Sequence, residues 1–256
     1  MIIDSDVENQ LRLGALRARL EDCSLATGSV DITLRCPNLT GVGWGEAGAQ
    51  GVAVSSRQRP FIQTQSLLRV DLSGCPRLKI LINAAFVNCS FLQSVVFNDN
   101  LESISLGGFQ NCRSLKLIIF PDMLVNLGEL VFHNCSSLEC VVYNKSLKTI
   151  DEAAFAHCSA LKNITLPEKL KVIEDVAFGG CTSLERVVCS KNLKTIGDAA
   201  FQGCSKLEDV QLAYKSISFG GVPFDCCDLL IEIAAAADFN SELAELVGGG
   251  FSNPGA

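Results

Sequence analysis

Residues 158–181 read Cys158-Ser-Ala-Leu161-Lys-Asn-Ile164-Thr-Leu166-Pro167-Glu-Lys-Leu170-Lys-Val-Ile173-Glu-Asp-Val-Ala177-Phe178-Gly-Gly-Cys181, and the stretch ends on the residue type with which it began. Phe178 belongs to a series, Phe86, Phe109, Phe132, Phe155, Phe178, Phe201 and Phe224, in which each position is the last plus 23. Three residues after each phenylalanine stands Cys89, Cys112, Cys135, Cys158, Cys181, Cys204 or Cys227. Three further on stands Leu92, Leu115, Leu138, Leu161, Leu184, Leu207 or Leu230. A fixed period of this length, held without slippage, marks a stacked-repeat solenoid.

The pattern Leu161-x-x-Ile164-x-Leu166 has the period of two of a short strand with one buried face. Pro167 ends that strand because proline cannot donate to a ladder. Leu170 and Ile173 turn the chain back, and Ala177-Phe178 fills the far side of the coil. One coil is too thin to bury its own apolar face, so only a neighbour completes it. The expected fold is an α/β, β-rich solenoid. It is a right-handed superhelix of seven to eight coils with a concave parallel sheet and helical caps.

The repeat extends upstream. Leu67-x-x-Val70-x-Leu72 reads as a strand, and Leu78 to Phe86 matches Leu147 to Phe155, with a two-residue insertion between Leu72 and Leu78. A looser echo, Val30-Asp-Ile32-Thr-Leu34-Arg-Cys36-Pro37-Asn-Leu39, is either a degenerate coil or irregular chain. Residues 1–25 read as an N-terminal helical cap, with Ser5-x-x-Glu8 as a capping box and an apolar stripe from Val7 to Leu20. The remaining divisions are an irregular glycine-rich segment over 26–63, the solenoid over 64–233, and a capping helix with a frayed tail over 234–256. Gly41 to Gln65 reads as a loop, and Leu230 to Ile233 as the last strand.

The chain has 256 residues, 48% of them apolar, enough for one continuous core. Its net charge is −7 and its 21 basic residues form no block in sequence, a poor match to a phosphate backbone, so no nucleic-acid partner is expected. The acidic start, Met1-Ile2-Ile3-Asp4-Ser5-Asp6-Val7-Glu8, is unlike a secretory signal, and no apolar run suffices for a membrane span. A cytoplasmic protein is the expectation. Of the 13 cysteines, seven share one repeat position. They read as reduced packing thiols that make weak S–H bonds to backbone.

The run Cys-x-x-Leu-x-x-Val/Ile-x-Leu-Pro-x-x-Leu-x-x-Ile-x-x-x-Ala-Phe-x-x-Cys, matched almost slot for slot by residues 158–181, resembles the BspA-like class of leucine-rich repeats. The resemblance covers residues 64–233. It implies a binding or adhesion array, as in surface proteins of bacteria and protists, with no catalysis and no cofactor in the repeats. Only Pro121 and Pro167 keep the proline of that pattern.

Other chemistries are weaker. Gly43-Trp-Gly45-Glu-Ala-Gly48 has the form G-x-G-x-x-G but lacks the strand–turn–helix context of a dinucleotide site. The two histidines, His133 and His157, read as surface turn residues rather than bases for a thiol nucleophile. No paired CxxC motif supports zinc. Asn88-Cys-Ser90, Asn134-Cys-Ser136 and Asn163-Ile-Thr165 have the form of glycosylation sites, as does Asn38-Leu-Thr40, but they arise from the repeat's own preferences.

The candidate site is the outward side of the strands. There the sequence offers Val96, Leu117, Ile119, Cys140, Val142, Thr165, Arg186 and Val188. An apolar strip with a polar rim fits a protein partner. Two other readings of these columns stay open: β-branched residues favour strands, or the segment 41–65 folds over the strip. The expected function is non-catalytic protein–protein interaction or scaffolding through the concave sheet. The alternatives are an adhesion module of a larger surface protein, and an enzyme or nucleotide binder using the loop Gly41 to Gly51.

Overall fold

The structure, a computed structural model, describes residues 2–4, 30–35, 41–42, 67–212 and 217–230. Each coil has three sides. The first carries a short strand: Leu67–Asp71, then Ser94–Val96, Leu117–Ile119, Cys140–Val142, Asn163–Thr165, Arg186–Val188 and Asp209–Gln211. The second carries a two-residue strand, as in Ser103–Ile104, Thr149–Ile150 and Thr195–Ile196. The third is a run of turns holding the Ala-Phe-x-x-Cys motif.

Among the described residues all pairing is parallel, and between repeats it is in register, as Cys140↔Leu117 and Thr149↔Val172 show. The structure adds a second parallel sheet to the expected one. Among the described residues it is the second side that forms an unbroken eight-stranded sheet. The first side is divided into runs of four, two and three strands. Two-residue strands leave almost no periodicity in the sequence, so the second sheet appeared there only as Leu170 and Ile173 turning the chain.

The described part of the echo, residues 30–35, is a rung of the first side. Val30–Arg35 pairs with Leu67–Asp71 across a register shift, and Gly41–Val42 pairs with Ile80–Leu81. Gly41 and Val42, expected in a loop, are therefore a rung of the second sheet. Ile2–Asp4, expected within a helical cap, is instead a strand on Thr33–Arg35. Leu230, expected to open a last strand, is helical, as are residues 228 and 229. The rest of the N-terminal cap, the segment 43–66 and the C-terminal cap over 234–256 lie outside the described residues.

The third side is hydrogen-bonded along the solenoid as the sheets are. In one coil Gly107, Phe109 and Asn111 donate to the carbonyls of Glu129, Val131 and His133, at 2.9, 2.8 and 2.9 Å. The outer two donors of each such trio hold left-handed backbone. One slot is Ala84, Gly107, Leu130, Ala153, Val176 and Ala199, with φ from 50 to 62°. The other is Asn88, Asn111, Asn134, His157, Gly180, Gly203 and Cys226, with φ from 55 to 70°. Asparagine and glycine tolerate this region; alanine, leucine and valine pay for it sterically.

The core is a set of columns. The seven phenylalanines are fully buried, and neighbouring rings stack with centroids 5.0 to 5.4 Å apart and planes within 13° of parallel. A shorter aromatic column, Phe97, Phe120 and Tyr143, closes the ends of three successive first-side strands and leans on the stack edge-on or tilted.

Two stability predictions follow from this stacking. Phe155→Ala removes a ring sandwiched on both sides and should cost about 3–5 kcal/mol in urea unfolding, whereas Phe224→Ala, near one end, should cost clearly less; equal losses would contradict nearest-neighbour coupling. Ala199→Gly, which puts into this slot the residue that Gly107 already supplies, should stabilise by about 1 kcal/mol, and Gly107→Ala should destabilise by a similar amount.

Candidate functional site

The first-side strands sort their residues cleanly. Ile118, Val141, Ile164 and Val187 point inward and are 0 to 8% exposed. Their neighbours point outward: Val96 is 52% exposed, Leu117 44%, Ile119 56% and Val142 45%. Cys140, Thr165 and Arg186 are also exposed, and Val188 is half-buried. The structure therefore aligns these eight residues along one face.

The face has two halves. Rungs 94–96, 117–119 and 140–142 present Val96, Leu117, Ile119, Cys140 and Val142, and these are the rungs backed by Phe97, Phe120 and Tyr143. The following rungs present Asn163, Thr165, Arg186, Asp209 and Gln211 beside the half-buried Val188, and Arg186 Nε meets Asp209 Oδ2 at 2.8 Å between adjacent coils. Two large apolar side chains at turns bordering the apolar half were not foreseen. Phe91, just before the strand at Ser94, is 51% exposed, and Met123, just after Ile119, is 55% exposed. Turn positions carry no strand alternation that could have flagged them.

The ladder cysteines are built into the coil contacts. From Cys112 onward each Sγ donates to the carbonyl of the phenylalanine one coil back, as in Cys135 to Phe109 at 3.3 Å and Cys158 to Phe132 at 3.2 Å. Burial pushes the Cys112 and Cys158 thiols well up and that of Cys135 up to about 12. These are inert packing groups, because the thiolate is the nucleophile. Among the described residues the exposed thiols are Cys140 and Cys226. The negative charge of Asp225 raises the Cys226 pKa.

The slot after the first-side strand explains the missing prolines. It reads Asn98, Pro121, Asn144, Pro167 and Ser190. Asn98 and Asn144 are buried and donate Nδ2 back to Leu78 O and Leu124 O, both at 2.8 Å, while Ser190 Oγ donates to Leu170 O at 3.1 Å. Proline ends a strand by withholding a donor; asparagine and serine end it by satisfying carbonyls of the coil before.

The remaining candidates have structural places. The His133 and His157 rings meet edge-to-face at 5.3 Å, and burial, helped by His157, lowers the His133 pKa. His157 occupies a left-handed slot, and its ring lies where a Cβ on Gly180 would be. Asn88, Asn111 and Asn134 form a side-chain ladder at 2.8 and 2.7 Å, so the apparent glycosylation asparagines Asn88 and Asn134 are engaged within the array. Among the described residues no cluster of three metal-ligating side chains occurs, and no helix is long and apolar enough to cross a membrane. The Gly43 to Gly48 motif lies outside the described residues.

The chain matches the BspA type leucine-rich repeat region, in six copies, over residues 79–208 and 127–241. It belongs to that family. A leucine-rich repeat protein of T. pallidum has a similar fold, with a TM-score of 0.57 at 21% identity, over 88% of this chain and 85% of that one. A leucine-rich repeat protein of Bacteroides ovatus aligns with a TM-score of 0.51 at 23% identity, over 80% of this chain and 66% of that one. One from Eubacterium ventriosum aligns with a TM-score of 0.55 at 23% identity, over 61% of this chain and 42% of that one. No curated protein matches the chain.

A thiol reagent tests the cysteine assignment in this BspA-type array. Native protein should be labelled at Cys140 and Cys226 among the described positions, with Cys226 accelerating as pH rises, because Asp225 holds its thiol protonated. Denatured protein should show all 13 thiols. Rapid native labelling of Cys135 or Cys158, mapped by mass spectrometry, would overturn the packing role.

Proposed function

We propose that this protein is a non-catalytic interaction module that binds a protein partner through the outer face of its first-side strands. The observation that carries the reading is the apolar half of that face. β-Propensity accounts for Val96, Ile119 and Val142, but Leu117 and Cys140 are not strand-favoured types. Nor does the strand need apolar residues there, since the same outward slots on rungs of the same geometry hold Asn163, Thr165, Arg186, Asp209 and Gln211, with Val188 the one apolar residue among them. A contiguous exposed apolar patch with a polar rim is what a partner desolvates. The stacked phenylalanines, with the aromatic column behind these rungs, hold the patch rigid, which lowers the ordering cost of binding. An intracellular scaffold and an adhesion module use such a face in the same way, and localisation of the full-length product separates the two.

The test is a paired substitution. Ile119→Asp with Val142→Asp changes outward side chains, so the protein should keep its melting temperature within a few degrees and its far-UV spectrum. Ile118→Asp, one residue inward, should unfold the coil because it buries a charge. The outward double variant should lose the partners that wild-type protein captures, since interface energy concentrates in desolvated centres. If it folds and binds them with wild-type affinity, the face is the wrong one.

A further inference from the structure

The turn that leaves the first side changes its charge along the solenoid. On three adjacent coils it presents Lys145, Lys148, Lys169, Lys171, Lys191 and Lys194, all exposed, with Glu168 as the one acid among them. On the two coils before, the same turn holds Asp99, Glu102 and Asp122 and no lysine. Six of 21 basic residues are thus gathered on three rungs of a chain with net charge −7. Their backbones are locked one rung apart, with Lys171 N bonded to Lys148 O at 2.9 Å and Lys194 N to Lys171 O at 2.8 Å. Ion pairs among the described residues include Lys79–Glu102 and Arg186–Asp209, and none of these six lysines takes part in one.

Like charges held one rung apart, about 5 Å, repel one another. Nothing in the coil requires them, because the two coils before build the same turn from acids and neutral residues. The ridge begins three residues beyond Val142, on the rung where the apolar strip ends. On those coils the opposite edge of the strands carries Glu139, Lys162 and Glu185, two acids to one base, so the excess of positive charge lies on one edge.

We propose that the partner segment bound at this face is an acidic–apolar peptide. Its apolar residues cover Val96, Ile119 and Val142, and its Asp and Glu side chains continue along the solenoid onto the lysine ridge. This rests on the reading of the strip as the binding face. Charge complementarity favours this occupant: a basic or neutral apolar peptide leaves the lysines uncompensated, whereas an acidic one is steered in and fixed in direction. The rungs from Val96 to Lys191 span about 20 Å, the reach of some six extended residues.

A random dodecapeptide phage library panned on the immobilised full-length protein tests this. Wild-type protein should enrich sequences with an apolar cluster beside an acidic one. The binding of a synthetic consensus peptide, followed by fluorescence anisotropy, should weaken about tenfold between about 50 and 300 mM salt. The triple variant K145E/K169E/K191E, checked for an unchanged melt, should still select apolar clusters but lose the acidic excess and the salt dependence. The double variant I119D/V142D should lose the apolar enrichment. Apolar peptides without acidic excess on wild type, or the same excess on the lysine variant, would overturn the ridge and leave the strip standing. Acid-only peptides indifferent to I119D/V142D would make the ridge a polyanion site and sink both readings, as would no enrichment on wild type.

Discussion

A coil of 23 residues can bury its phenylalanine only against the coil before and the coil after. That constraint governs the rest of the structure. Because the period never slips, each side chain falls on its own kind one rung away, and the phenylalanines stack nearly parallel at 5.0 to 5.4 Å. A one-residue change in coil length would move every later strand residue to the wrong face. The two extra residues between Leu72 and Leu78 are tolerated because they sit in the turn, between two rungs that both keep their register.

Stacking identical coils multiplies any unsatisfied polar group by the number of coils, so each recurring one needs a recurring partner. The phenylalanine carbonyl shows how this is met. Phe109 O accepts from the backbone N–H of Cys112 in its own coil at 3.1 Å and from Cys135 Sγ of the next at 3.3 Å. Cysteine is thus a small apolar filler that still donates, which alanine cannot do. The alternation of asparagine with proline after the strand is a second solution of the same kind. So is the asparagine ladder from Asn88 to Asn134, which serves left-handed backbone and side-chain pairing at once.

With the interior so strictly repeated, variation is left to the positions that break the repeat. Outward slots on the first side and in the turns vary freely, since no neighbouring coil constrains their volume. That freedom produces the apolar patch on three rungs and the lysine ridge on three, overlapping at the coil that contains Cys140–Val142. Each feature is built from single residues 23 apart in the chain, so neither is a sequence motif.

The sequence by itself determined the coil. Its period, the inward alternation on the first side and the phenylalanine, cysteine and leucine columns follow from spacing alone, because identical environments select identical residues. The outward direction of Ile119 and Val142 followed from the same alternation. Tertiary structure decided what spacing could not express. Two-residue strands are too short to leave a period, yet they assemble the unbroken sheet of the second side. Left-handed slots filled by Ala153, Leu130 or Val176 carry no glycine signal, and only coil-to-coil bonding selects that backbone. Val30 to Arg35 is too degenerate to match the repeat, but pairing with Leu67–Asp71 makes it a rung. Lys148, Lys171 and Lys194 recur every 23 residues, but Lys145, Lys169 and Lys191 do not share one slot, and only stacking sets all six side by side.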